Sequence, residues 1–312
     1  MRIFTHAACL AHDPGPGHAE SPARLEAVLD ELHARLPSLV WIEAPRASRA
    51  QLERVHAPEL ITQVLDSPVE EFLRLDVDTV MSPGSAQAAL RACGAGIAAV
   101  DALFTDEREP IFCAVRPPGH HATATTAMGF CLFNGIAVAA AHALEVHSLQ
   151  RVAILDFDVH HGNGTQHIFE HDPRVLYLSS HQSPLYPGTG DASEHGVGNV
   201  VNAPLPPLSG SAAFRDAWTG TLFPALDAFA PQLILVSAGF DAHRLDPLAQ
   251  LNLEADDYRW IGAELRLRAE MHTGGRILSI LEGGYSLVAL RECCIAYLEG
   301  LGRGGYSAGA SG

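Results

Sequence analysis

Four short apolar runs, at residues 111–115, 152–155, 233–237 and 277–281, frame this chain. Each is continuous rather than alternating, with at most one Ser or Cys inside it, which reads as a strand buried on both faces of a parallel sheet. Each also stops in the same way. The first runs into Arg116-Pro117-Pro118-Gly119-His120-His121, and the second into Asp156-Phe157-Asp158-Val159-His160-His161-Gly162-Asn163-Gly164. The third runs into Ala238-Gly239-Phe240-Asp241, and the fourth into Glu282-Gly283-Gly284-Tyr285. One apolar run ending in glycine and ionisable groups is as readily a strand with a polar turn. Four in one chain point to a site, because open α/β sheets bind ligands and metals beyond the carboxyl ends of their strands.

Between these runs the apolar period changes to that of helices. Ser21 stands as N-cap with Pro22 in the first turn, followed by Leu25, Val28, Leu29, Leu32 and Leu36 on one face. Further helices are predicted at about 85–103, 135–146, 212–229, 255–271 and 287–301, alternating with the four runs and with a strand at 175–178. Repeated β-α units predict a single α/β domain, a mostly parallel sheet with helices on both faces. Pro- and Gly-rich stretches at 13–17, 183–190 and 201–210 read as loops, and the Gly- and Ser-rich end as a flexible tail over 303–312.

Composition narrows the function. The chain has 312 residues, 47% of them hydrophobic, with no run near the roughly 18 apolar residues of a membrane span. A formal charge of −16 argues against a nucleic-acid or anionic membrane surface and suits cationic partners. His6, His12 and Asp13 interrupt the N-terminus where an export signal would be apolar, and the six cysteines show no metal or disulfide spacing. The expected compartment is the cytoplasm.

The strand ends supply chemistry. Asp158 and His160, two residues apart in extended backbone, project to one face, and Asp241 ends a second strand. Two carboxylates and one imidazole with an open position suit catalytic zinc, and also tolerate Fe(II), Co(II) or Mn(II). His120-His121 follows a rigid Pro-Pro-Gly turn, so one imidazole can take a proton from water while the other stays charged near a developing oxyanion. Asp156 and Asn163 are placed to orient them. Two glycines before Tyr285 leave its phenol room to swing toward the metal and donate to an oxyanion.

These segments, with Gly129-Phe130-Cys131, Pro187-Gly188-Thr189-Gly190 and the Ala242-His243 that follows Asp241, resemble the histone deacetylase family. That family includes bacterial deacetylase-like amidohydrolases and acetylpolyamine amidohydrolases. The likeness runs in family order over most of the chain, and Asn163, where class I members carry aspartate, aligns it with class II and its bacterial relatives. The resemblance implies an arginase/deacetylase-like fold over residues 1–302 and a zinc-dependent amidohydrolase. By position, Asp158, His160 and Asp241 would bind zinc. His121 would be the general base and then acid, oriented by Asn163, and His120, paired with Asp156, would act electrostatically. Tyr285 would bind the carbonyl oxygen. Phe130 and Tyr186 would sandwich the alkyl chain, Gly129 would accept the substrate amide N–H, and Asp78 would hold the substrate backbone at the rim. A structural potassium would sit on backbone carbonyls of Asp156, Asp158, His160 and Ser180 and on the Ser179 hydroxyl.

Acyl-lysine of a peptide or protein is the leading substrate and a small acylated polyamine the alternative. The short stretch between Asp78 and His120 has no room for the entrance-narrowing insertion of the acetylpolyamine enzymes. A binuclear manganese ureohydrolase would need an Asp-x-His-x-Asp pattern where this chain has Asp156-x-Asp158-x-His160. A non-catalytic metal-holding protein would leave His120-His121 and Tyr285 without a role.

Overall fold

The computed structural model describes residues 1–105 and 109–302, so the predicted tail at 303–312 lies outside the described residues. In chain order the strands are β1 (Arg2–Thr5), β2 (Val40–Glu43), β3 (Leu73–Arg74), β4 (Val80–Met81) and β5 (Ile111–Cys113). They continue with β6 (Val152–Asp156), β7 (Val175–Gln182), β8 (Val200–Leu205), β9 (Leu233–Ala238) and β10 (Ile277–Leu281). Eight of them form one sheet in the order β2-β1-β5-β10-β9-β6-β7-β8, and β3 and β4 form a separate antiparallel ribbon. Each neighbouring pair in the large sheet is parallel. The four runs singled out by their apolar pattern are therefore the contiguous centre, β5-β10-β9-β6. Their carboxyl ends point the same way and lie side by side.

Each residue of β5, β6, β7, β9 and β10 is buried. A strand buried along its whole length needs cover on both faces. Helix Ser85–Leu103 packs on β1, β5 and β10 and on helix Gly135–Val146, which in turn covers β6 and β9. Helices Ala255–Arg268 and Leu287–Gly302 pack on each other, and Pro22–Arg35 lies on the latter.

The structure corrects three expectations. Residues 201–210 are not all loop, since Val200–Leu205 is an edge strand whose Pro204 lies at the sheet margin, where a missing N–H is tolerated. The helix predicted at 212–229 is Ser211–Ala217 and Phe223–Phe229 joined by a π-turn at Trp218–Leu222, just ahead of Pro224. The helix predicted at 255–271 likewise passes into a π-turn at Ala269–Thr273. Ser21 takes the extended N-cap backbone, but its side chain makes no capping bond.

Candidate active site

Every site residue named from the strand ends converges beyond the carboxyl edge of β5, β10, β9 and β6. β6 stops at Asp156, whose Oδ2 accepts from His120 Nδ1 (3.0 Å) and from the Tyr177 hydroxyl (3.1 Å). Past it, Asp158 accepts backbone N–H bonds from His160 (2.9 Å) and Gly283 (2.8 Å), and Asp241 accepts one from Val159 (2.9 Å). These bonds hold the carboxylates in place with oxygens still facing inward. His160 Nδ1 lies 3.2 Å from both Asp158 Oδ1 and Asp241 Oδ2, and the three ligand atoms fall within 4.8 Å of one another.

Carboxylates so close together need space that no side chain may share. A Cβ at Gly239 would meet Asp158, and one at Gly283 would meet both Asp241 and Asp158. Gly283, read from the sequence as freedom for Tyr285, is thus required by the clustered carboxylates Asp158 and Asp241. Electrostatics favours a cation here. Burial opposes charge on His160, but its contacts with Asp158 and Asp241 outweigh burial and raise its pKa to about 10. Burial and the neighbouring Asp158 charge push Asp241 up to about 7. An anionic, buried nest of two oxygens and one nitrogen fits a divalent ion.

The adjacent histidines differ in environment. His121 Nδ1 contacts Asn163 Oδ1 at 2.8 Å, so with the amide oxygen accepting, Nδ1 carries the hydrogen and Nε2 is left as a bare base. Burial and the charges of His120 and His160 hold His121 well below the usual histidine range. Burial acts in the same sense on His120, but Asp156, Asp158 and Glu282 outweigh it and raise that imidazole well above the range. One ring is kept neutral beside one kept charged.

A cavity of about 210 Å³ opens over this centre. Of the residues expected to shape a channel, Asp78, Gly129, Phe130 and Tyr186 line it, together with His121, His160 and Tyr285. Leu185 and Leu248, which the sequence reading did not name, complete its apolar walls. Tyr186 stands edge-on to the His121 ring at 5.1 Å and Phe130 edge-on to Tyr285 at 5.7 Å. Gly129 and Phe130 are consecutive left-handed residues, with φ of 56° and 67°. Their amides are tied down by Asp78 Oδ1 (3.2 Å) and Thr79 Oγ1 (3.0 Å). Asp78 thus carries one of the channel walls as well as facing the cavity.

Two further residues escaped the sequence reading of roles. Arg24 donates to Gly284 O (2.6 Å) and Glu282 O (2.5 Å), and its guanidinium stands 4.8 Å from the centre of the Tyr285 ring. Glu282 accepts from the amides of Gly119 (2.6 Å) and His120 (3.2 Å), fixing the loop that carries the histidine pair. The available signal was a charged Arg24 beside the core position Leu25, with Glu20 four residues earlier; the two form a buried ion pair at 2.9 Å.

Among the described residues a second group, Asp101, His142 and His147, has metal-like proximity. Arg54 Nη1 donates to His142 Nδ1 at 2.9 Å, so His142 Nε2 keeps its hydrogen and gives it to Asp101 at 2.7 Å. That is a hydrogen-bond relay between helices, with no lone pair left on His142 for a metal.

A parallel α/β sheet with a buried Asp-His-Asp cluster, a neutral histidine and a phenol over a narrow cavity is the arrangement of a metal-assisted hydrolase. Comparison with known proteins gives the family. Residues 18–301 match the histone deacetylase domain. The chain is 40% identical over 326 residues to the histone deacetylase-like amidohydrolase of Pseudomonas aeruginosa, covering 96% of this chain and 85% of that one. It is 38% identical over 291 residues to the human polyamine deacetylase HDAC10, covering 88% of this chain and 43% of that one. The crystal structure of the HDA15 HD domain superposes with a TM-score of 0.91 at 35% identity, covering 96% and 87% of the two chains. The chain belongs to the histone deacetylase family and is an amide-hydrolysing enzyme of the deacetylase type. No helix among the described residues is long and apolar enough to cross a membrane.

Proposed function

We propose that the protein removes acetyl or other short acyl groups from lysine-type side-chain amines, with zinc held by Asp158, His160 and Asp241. The observation that carries this reading is His121 Nδ1 held 2.8 Å from Asn163 Oδ1, with its ring beside the Asp158-His160-Asp241 cluster at one apolar channel. Zinc bound there supplies a Lewis acid for the carbonyl and lowers the pKa of an attacking water. His121 Nε2 accepts the water proton and later delivers it to the departing amine, as a base and acid within one ring. Asn163 keeps that nitrogen free. The Tyr285 hydroxyl, held neutral because burial raises it well above the usual phenol range, donates to the carbonyl oxygen as negative charge builds. His120, charged against Asp156, stabilises the same charge from the side.

Phe130, Tyr186, Leu185 and Leu248 form a slot for an unbranched alkyl chain, and the Gly129 carbonyl is the acceptor assigned to the substrate amide N–H. An apolar wall at Leu248 offers nothing to a second ammonium along the chain, which favours acyl-lysine over acylpolyamine. For potassium, Ser179 is opposite Asp156 in the β6–β7 ladder and fully buried, and Ser180 Oγ already accepts from Trp218 Nε1 at 3.0 Å. Ser179 would give its hydroxyl, and Ser180, Asp156, Asp158 and His160 their carbonyls. Turnover of acyl-lysine peptides, acetylputrescine and acetylspermidine, with and without chelator, tests the proposal. A higher kcat/KM for the peptide is expected, and a clear preference for either polyamine would replace it with the alternative substrate class.

A further inference from the structure

Asp246 lies in the loop after β9, only 6% exposed, and sequence reasoning gave it no role. Its carboxylate is shared between two stretches of chain that line the cavity. Oδ2 accepts the backbone N–H of Tyr285 at 2.7 Å and of Ser286 at 3.3 Å, and Oδ1 accepts that of Leu248 at 3.0 Å. The loop is closed on itself by Asp246 N donating to His243 O at 2.8 Å. Tyr285, whose phenol is proposed to bind the carbonyl oxygen, and Leu248 both line the cavity. The Gly283-Gly284 segment before Tyr285 is itself anchored, by Gly283 N donating to Asp158 Oδ2 at 2.8 Å and by Arg24 donating to Gly284 O at 2.6 Å. Asp246 adds the next anchor, at the backbone N–H of Tyr285 itself.

We infer that Asp246 is a positioning residue that fixes Tyr285 against the Leu248 wall, so that the phenol hydroxyl and the substrate chain share one register. The inference rests on the oxyanion role proposed for Tyr285. Both carboxylate oxygens are in use, and an asparagine has only one acceptor oxygen, so Asp246→Asn must turn an NH₂ toward one of the amides and release one side.

A double-mutant cycle tests it, with Asp246→Asn made in the wild-type and Tyr285→Phe backgrounds and kcat and bound metal measured for the purified holoenzymes. The expected result is a loss of about tenfold in kcat in wild type, shrinking to less than about twofold where the phenol hydroxyl is already absent, with metal content unchanged. A general structural role would lower kcat by the same factor in both backgrounds, and that outcome, or no loss in either, overturns the inference. Should Tyr285→Phe itself leave kcat intact, the oxyanion role fails and this inference with it. Equal losses stacked on a large Tyr285→Phe effect overturn only the inference. Asp246→Glu, which keeps both oxygens but displaces them by one methylene, is put through the same cycle with the same outcomes if Asp246→Asn does not fold.

Discussion

His121 Nδ1 and Asn163 Oδ1 lie 2.8 Å apart, joining the loop after β5 to the first residue of the helix after β6. Asn163 is in turn held by its amide against Met128 Sδ at 3.4 Å, so its oxygen has one direction open to it. Removing that acceptor frees His121 to place its hydrogen on either nitrogen. Asn163→Ala is expected to lower kcat by about tenfold or more while KM and metal content stay near wild type. His121→Ala should lose about 10²-fold or more, as expected for deleting a general base. Steady-state kinetics with metal analysis checks both, and an Asn163→Ala enzyme with full kcat would remove the orienting role.

Tyr285→Phe deletes one hydroxyl and leaves the ring packed near Phe130 and Arg24. The predicted loss is about 10²-fold in kcat, the size found for removing one oxyanion donor, with little change in KM. If KM rose and kcat held, Tyr285 would be a wall of the slot and nothing more.

Asp78 has one observed duty and one proposed duty to separate. Its Oδ1 supports the Gly129 amide, so Asp78→Asn should slow every substrate somewhat by loosening the Gly129-Phe130 wall. A backbone contact at the rim adds a loss confined to peptides. We predict a larger fall in kcat/KM for an acetyl-lysine peptide than for acetylputrescine. Equal falls would leave Asp78 with the wall alone.

The centre of the fold was legible because its strands are continuous apolar runs and its chemistry sits within a few residues of their ends. Asp158, His160, Asp241, His120, His121 and Tyr285 all fall in such positions, and the sheet order places them side by side. The margins were not legible. β1 and β2 are four residues each, too short for a period to declare itself, and β8 carries Asn202 and Pro204, which read as turn residues. Arg24, Glu282 and Asp246 also reach partners 39 to 260 positions away, such as Arg24 with Gly284 and Asp246 with Tyr285, and apart from Glu20 four residues before Arg24 no local pattern hints at them.

Histidines buried neutral make a contribution to stability that is lost in mild acid. His56 Nδ1 donates to Thr123 O at 3.0 Å while Nε2 accepts from the Asn134 amide at 2.9 Å, and burial lowers its pKa to about 4. A proton on Nε2 would face that N–H directly. The folded pKa lies below the unfolded one, so the unfolded chain binds more protons between them. The contribution of His56, on the order of 3 kcal/mol, is complete above about pH 6.5 and is lost as pH falls toward 4. His161 and His181, lowered to about 3 and about 4 chiefly by burial, act in the same direction. Asp241 and Glu282, both raised to about 7, act in the opposite sense, so the His56 contribution is read by difference. In urea unfolding at pH 7.5, 6 and 5 the pH slope of His56→Gln should be lower than that of wild type by about one proton. An unchanged slope in the variant would count against the His56 assignment.

The central claim is that Asp158, His160 and Asp241 hold one catalytic ion. Protein stripped by chelator should be inactive on an acetyl-lysine peptide and recover turnover with zinc or cobalt as about one ion per chain is bound, while Asp158→Ala binds none there and stays inactive. Full turnover by metal-free protein would contradict the account.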